Sequence, residues 1–267
     1  MAACEKAARE ESFLRAIESE SASTIVNEIH VNYKDIVVEE SYDGPRLETE
    51  DSSEATVTID FVKAVIERFK SQKLLHRKYV LQILLRVRDY FRGLPSLLRI
   101  SIPRLSTSPS TLGQFTVCGD THGQFYDLCN IFEVGGFPSD SNPYLFNGDF
   151  VDRGSFSFEV VFTLICLKLA LPNGVYMLRG NHESKNMNRI YGFEGEVKHK
   201  YDESVMNLFT EVFNWLPLSA VIENAVFVVH GGLCATQDVT LDEISAIQRG
   251  KEPPEAGLTS DLLWSGT

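Results

Sequence analysis

Four short apolar runs in this chain end abruptly in polar clusters, and that pattern constrains its fold more than any other feature. QFTVC precedes GDTHG, PYLF precedes NGDFVDRG, VYML precedes RGNHES, and AVFVV precedes HGGL. Apolar runs of that length, bounded by turn residues, read as buried strands. Helical patterns separate the first three, at roughly 124–133 and 155–171. That alternation is the rhythm of an α/β domain with a mostly parallel sheet. In such sheets ligands sit beyond the carboxyl ends of the strands. All four polar clusters fall there.

Folding on this plan gathers Asp120, His122, Asp149, Asp152, Asn181, His182 and His230 into one crevice. Carboxylates packed together repel one another unless a cation neutralises them. Mixed carboxylate, imidazole and amide donors suit Mn, Fe or Zn better than an all-oxygen calcium cage or a thiolate zinc site. The number of donors argues for two divalent ions. Such ions, about 3.5–4 Å apart, can share one bridging carboxylate and clamp both oxygens of an in-line displacement. Arg153 and Arg179 flank the donors. Either could grip phosphate oxygens in a bidentate fork, or form a salt bridge to a ligand carboxylate.

The chain has 267 residues and is 43% hydrophobic, enough for one sizeable core or a large domain with an appendage. A net charge of -12 disfavours a nucleic-acid partner. Cys4, Cys118, Cys129, Cys166 and Cys234 form no C-x-x-C pair and read as small buried hydrophobes, which suits a reducing compartment. The first residues hold no apolar core of the signal-peptide kind, and no run approaches the ~18 apolar residues of a membrane span. A soluble protein of the cytoplasm or nucleus, without a membrane partner, is expected.

Residues 5–20 are expected to form a helix with Phe13, Leu14 and Ile17 on one face, and 39–56 an exposed acidic connector. Helices are expected over 58–72, with Asp60 as N-cap and Phe61, Val65 and Phe69 inward, and over 76–92, with Tyr79, Ile83, Val87 and Tyr90 inward. RLSTSPST, 104–111, reads as a loop. The chain divides into an N-terminal helix and connector, 1–56, and a catalytic domain, 57–267. No internal repeat of fixed period is evident.

GDTHG, GDFVDRG, RGNHE and HGGL, in this order, resemble the signature of the phosphoprotein phosphatase family, the metal-dependent serine/threonine protein phosphatases of the metallophosphoesterase superfamily. The extended forms GDFVDRGSFSFEV and NRIYGFEGEVKHKY, with LHRKY in the leading helices, are most similar to its type-five branch. The similarity runs from about residue 5 to 265. It implies a β-sandwich flanked by helices. It implies phosphoserine and phosphothreonine monoesters of proteins as substrates, a monomeric enzyme, and two divalent metal ions, with manganese, iron or zinc as candidates.

Carried over residue by residue, Asp120, His122 and Asp149 resemble the ligands of the first metal, with Asp149 bridging. Asn181 and His230 resemble ligands of the second. His182 resembles the general acid, with Asp152 orienting it. Arg153 resembles a phosphate-clamping arginine, with Arg179 nearby. Asn181 and Tyr191 fall on the substrate side. A metal-bridged hydroxide would attack phosphorus, and a positioned acid would contribute roughly 10²–10⁴-fold by protonating the leaving alkoxide. Glu183 is expected to support the ligands or the fold.

Two departures bear on these expectations. The type-five branch carries tetratricopeptide repeats ahead of its catalytic domain, and only the connecting region is expected here. The chain ends DLLWSGT, where the family reads on through a further segment that supplies another histidine to the second metal, a second clamping arginine and several strands. A C-terminally truncated domain is therefore expected, with uncovered sheet edges, marginal stability and weak or absent turnover. The alternative reading is a binding protein that keeps the substrate groove without catalysis. A phosphodiesterase of the wider superfamily is disfavoured by the GDFVDRG and RGNHES contexts.

Overall fold

The structure is a computed structural model that describes residues 31–47, 56–105 and 108–266. The helix expected over 5–20, and residues 48–55 of the connector, lie outside them.

Helix α1, Ile59–Lys70, turns Phe61, Val62, Val65, Ile66 and Phe69 inward. Its N-cap is Thr58, whose hydroxyl accepts from the Phe61 N–H at 3.2 Å. Asp60, expected to cap, instead sits in the first turn, where its charge meets the positive end of the helix dipole. Helix α2, Arg77–Arg92, buries Tyr79, Ile83 and Val87 as expected, and leaves Tyr90 half-buried. Strand β1, Leu97–Ile100, follows. The 104–111 stretch is not a plain loop. Arg104–Leu105 (β2) pairs antiparallel with Ser108–Leu112 (β3), a hairpin whose Ser, Thr and Pro content gave no apolar alternation to read.

Next come β4 (Thr116–Cys118), α3 (Phe125–Gly135), β5 (Tyr144–Phe146), α4 (Ser157–Ala170) and β6 (Val175–Met177). Three helices follow, α5 (Lys185–Tyr191), α6 (Phe193–Lys200) and α7 (Glu203–Asn214). The chain then runs through β7 (Ser219–Ile222), β8 (Val226–Val229), α8 (Leu241–Ser245) and α9 (Leu258–Trp264). No helix among the described residues is long and apolar enough to cross a membrane.

Two three-stranded sheets result, ordered β4-β5-β6 and β1-β7-β8. The first is wholly parallel. In the second β1 and β7 are parallel, and β8 returns antiparallel. Successive residues of a strand face opposite ways, so each sheet has two apolar faces. Leu145 and Tyr176 of the first sheet meet Leu98, Ile100, Ala220, Ile222 and Val228 of the second. The outer face of the first sheet, with Tyr144, Phe146, Val175 and Met177, packs under α4 and the other large helices. The outer face of the second, with Leu97 and Val221, packs under α8 and α9 through Ile244, Leu262 and Leu263. The molecule is therefore a β-sandwich flanked by helices, α/β in class. Helix α4 is apolar nearly all round because it lies between the sheet and the other helices.

Residues 39–47 of the connector are largely exposed but tied to the rest of the fold at several points. Leu47 is buried, the Tyr42 hydroxyl accepts from the His76 N–H at 3.1 Å, and Asp43 pairs with both Arg68 and Lys73. Of the connector's acidic residues, Asp43 is thus matched by Arg68 of α1 and Lys73 of the loop after it, and Glu39 meets His76 at 3.3 Å. Among the described residues no strand pairs with the outer edge of β4 or of β8, and Val117 and Val226, facing the interior of the sandwich, are 49% and 53% exposed there.

Candidate active site

The four polar clusters converge at one end of the sandwich. The turn after β4 carries Asp120 and His122. The turn after β5 carries Asp149, Asp152 and Arg153. The turn after β6 carries Asn181 and His182, and His230 follows β8. The turns are held to one another by backbone: the Asp149 carbonyl accepts from the N–H groups of Thr121 and His122 at 3.0 and 2.9 Å. His122, Asp149, Asp152 and Arg153 all have positive φ, at 33°, 53°, 70° and 66°. Such backbone costs about 1–3 kcal/mol per residue and persists only where surrounding structure over-determines it. Gly148, at φ 89°, lets the turn pass against Gly180, where a Cβ would strike backbone.

Asp149 is buried at the centre. Its Oδ2 lies 3.4 Å from His122 Nε2, and its Oδ1 lies 3.4 Å from His230 Nε2. Asp120 Oδ2 is 3.8 Å from His122 Nε2. His122 Nδ1 donates to the Val151 carbonyl at 2.8 Å, and His230 Nδ1 donates to the Asn147 carbonyl at 2.7 Å. Those bonds fix both tautomers and leave both Nε2 lone pairs toward a carboxylate that also only accepts. Acceptor facing acceptor at 3.4 Å calls for a cation or a proton between them. His122 Nε2 and Asn181 Oδ1 are, in addition, buried with no hydrogen-bond partner.

Two groups of donor atoms close enough to share an ion, Asp120–Asp149–His230 and His122–Asp149–His182, overlap at Asp149. The residues fit a pair of divalent cations sharing one carboxylate. The overlap falls where the sequence reading put the bridge, although the imidazoles divide differently about it. Burial works against charge on both partners of the Asp149–His230 pair. Their mutual attraction outweighs it, holding Asp149 below the usual carboxylate range and lifting His230 to about 9.

A second line of side chains runs beside this centre. Asp152, fully buried, accepts from His182 Nδ1 at 2.9 Å, from Asn188 Nδ2 at 3.1 Å and from the Phe193 N–H at 3.0 Å. His182 is thus oriented through Nδ1, and its Nε2 lies 3.2 Å from Arg153 Nη2. The Tyr191 ring lies 5.1 Å from the His182 ring, and the Arg153 guanidinium stands 5.9 Å over it. Exposed Arg153 and part-exposed Tyr191 make the open side of the site.

Arg179 is elsewhere. It is buried, donating to the carbonyls of Glu183 and Lys251 and to Asn214 Oδ1, so it ties the turn after β6 to the C-terminal part of the chain and does not face the crevice. Glu183 accepts the backbone N–H groups of Asp149, Phe150 and Gly180 at 2.8–2.9 Å. Burial and the neighbouring Asp149 carboxylate push it up to about 7. Asn147 and Asn188, both bonded to site residues, escaped the sequence reading. Neither has a charge or a distinctive spacing that would mark it.

A family model described as calcineurin-like phosphoesterase matches residues 113–266, and the chain belongs to that family. A second model, described as PPP5 TPR repeat region, matches residues 1–99, a span that includes α1 and α2 packed on the catalytic core. Among curated proteins the chain is similar to serine/threonine-protein phosphatase 5 of Homo sapiens, 47% identical over 263 residues, covering 98% of this chain and 50% of that protein. It is also similar to the protein of the same name from Arabidopsis thaliana, 55% identical over 228 residues, covering 85% and 40%. A solved protein serine/threonine phosphatase from Saccharomyces cerevisiae, described as similar to human phosphatase PP5, superposes with a TM-score of 0.72 at 43% identity, covering 77% of this chain and 64% of that one. The chain spans about half the length of the curated relatives it matches.

Proposed function

We propose that this chain carries the site of a metal-dependent protein serine/threonine phosphatase, which hydrolyses phosphoserine and phosphothreonine monoesters of proteins. The observation that carries the reading is Asp149 set between two imidazole Nε2 atoms, with the Asp152–His182–Arg153 line beside it. Asp120, His122, Asp149, Asn181 and His230 would hold two divalent cations, and their oxygen and nitrogen donors suit manganese first, then iron or zinc. Such a pair, when bound, polarises phosphoryl oxygens and lowers the pKa of water.

The chain's own residues supply the rest. Arg153 offers its guanidinium to the non-bridging oxygens of the phosphoryl group. His182 Nε2 and Arg153 Nη2 are 3.2 Å apart, so one phosphate ester can accept from the arginine and have its ester oxygen beside the imidazole. As the P–O bond to serine or threonine breaks, that oxygen takes a proton from His182 Nε2. Asp152, held by Asn188 and the Phe193 N–H, accepts from Nδ1 and stabilises the imidazolium, the form that carries the Nε2 proton given up in this step. Tyr191 forms the wall against which the substrate rests. The reading includes a monomeric chain of the cytoplasm or nucleus, with phosphoproteins as partners.

The test is hydrolysis of p-nitrophenyl phosphate and of a phosphoserine peptide with added manganese, for the chain and for His182→Asn. Measurable turnover of both substrates by the wild type is required, however slow. For the variant we expect a fall in kcat on the peptide of roughly 10²–10⁴-fold at unchanged manganese affinity. A folded, manganese-loaded wild type that binds the peptide but turns over neither substrate would leave a binding site without catalysis.

A further inference from the structure

Asp120, His122, Asp149 and Asn181 all follow strands of the β4-β5-β6 sheet, whereas His230 arrives from the β1-β7-β8 sheet. The position of His230 against Asp149 is therefore set by how one sheet is registered on the other. Asn147, the residue after β5, spans the two sheets at this point. Its N–H donates to the Cys118 carbonyl at 2.9 Å, inside the first sheet. Its carbonyl accepts from His230 Nδ1 at 2.7 Å. Its side-chain Nδ2 donates at 3.0 Å to the carbonyl of Val229, the residue immediately before His230. One residue thus grips His230 at the ring and at the backbone leading into it.

The side chain is not there for packing. Asn147 Oδ1 is buried with no hydrogen-bond partner, a desolvation cost that an apolar residue in the same space would not carry. The backbone carbonyl could fix the His230 ring with any residue at this position, but the bond to Val229 needs a side-chain donor. The amide therefore adds a restraint that the main chain cannot supply: it holds the end of β8 at the distance from β5 that brings His230 Nε2 to Asp149 Oδ1.

We propose that Asn147 is a positioning residue for the cation centre, acting through His230 by locking the two sheets together at the site. This rests on the reading of His230 as a metal ligand. Groups that orient ligands in this way typically contribute 10–100-fold to metal affinity.

The test is manganese binding to the full chain, followed by isothermal calorimetry, for wild type, Asn147→Leu, His230→Ala and the double variant. Asn147→Ala, which adds no bulk, serves beside the leucine variant in case the larger side chain disturbs folding. The expected result is that either Asn147 variant weakens one manganese site roughly 10–100-fold and leaves the other intact. The double variant should bind no more weakly than His230→Ala alone, because two residues acting through one ligand are not additive. Wild-type affinity in both Asn147 variants would overturn the inference, and so would losses that multiply in the double variant, as independent structural damage predicts. His230→Ala binding two ions as tightly as wild type would overturn the ligand reading itself, and the inference with it.

Discussion

Glu183 controls the centre without belonging to the set of groups that would touch an ion or a substrate. Its Oε2 accepts from the N–H groups of Asp149 and Gly180, and its Oε1 from that of Phe150. Three donors converge on two oxygens, and together they hold the left-handed turn that presents Asp149. Glutamine is nearly isosteric but offers one oxygen, so one end of its amide must turn N–H toward N–H. Glu183→Gln should therefore cost about 1–3 kcal/mol in urea unfolding. A variant as stable as wild type would mean that the turn is held by something else. Asp149, His122, His182 and His230 were legible because glycine-flanked polar clusters at strand ends have few other uses. The supporting asparagines were not, since an amide that bonds to carbonyls and carboxylates across the fold leaves no pattern along the chain. Arg179 shows the converse: it is adjacent to the cluster in sequence, yet its guanidinium runs inward to Asn214 and Lys251.

At the scale of elements, α4 carries a buried cation. Lys168 Nζ donates to the Pro172 carbonyl at 2.6 Å and lies over the rings of Tyr90 and Tyr176 at 5.3 and 4.6 Å, contacts that favour the ammonium. Burial opposes them and lowers its pKa to about 7. Between that value and the unfolded lysine near 10.4 the unfolded chain binds the extra proton, so this group makes stability rise with pH. Below about pH 7 both states are protonated and the contribution is flat. Lys168→Met should remove the rise, seen as wild-type unfolding free energy increasing relative to that of the variant from pH 7 to 8.5. A difference constant across that range would show that Lys168 keeps its ordinary pKa. The same helix was readable from its length and apolarity. Strands β1 and β7 were not, because β7 is buried on both faces and β1 exposes only Arg99, so neither alternates, and the β2–β3 hairpin is built from residues that usually mark loops. The short α5 and α6, which carry Asn188, Tyr191 and the Phe193 N–H to the site, were not legible either, their apolar residues being too few for a periodicity.

For the whole molecule, the alternation of strands and helices gave the class and the end of the sheet where the site lies. It did not give the sandwich. That arrangement depends on β1, far earlier in the chain, pairing with β7, and local pattern carries no trace of such a pairing. The outer edges of β4 and β8, with which no described strand pairs, leave Val117 and Val226 open at the mouth of the sandwich. Exposed apolar edges template pairing between chains, and an edge lysine blocks it. Where the monomer begins to associate at high concentration, Val226→Lys should suppress that association in sedimentation velocity with little change in melting temperature. Identical association in the variant would place the contact elsewhere.

The central claim is that one buried carboxylate serves two cations. The measurement that tests it most directly is manganese stoichiometry of the purified chain, by electron paramagnetic resonance titration, beside Asp149→Ala. Two bound ions per chain with spin coupling between them are expected, with loss of both in the variant. Two uncoupled ions, or a variant that still binds a pair, would contradict that claim.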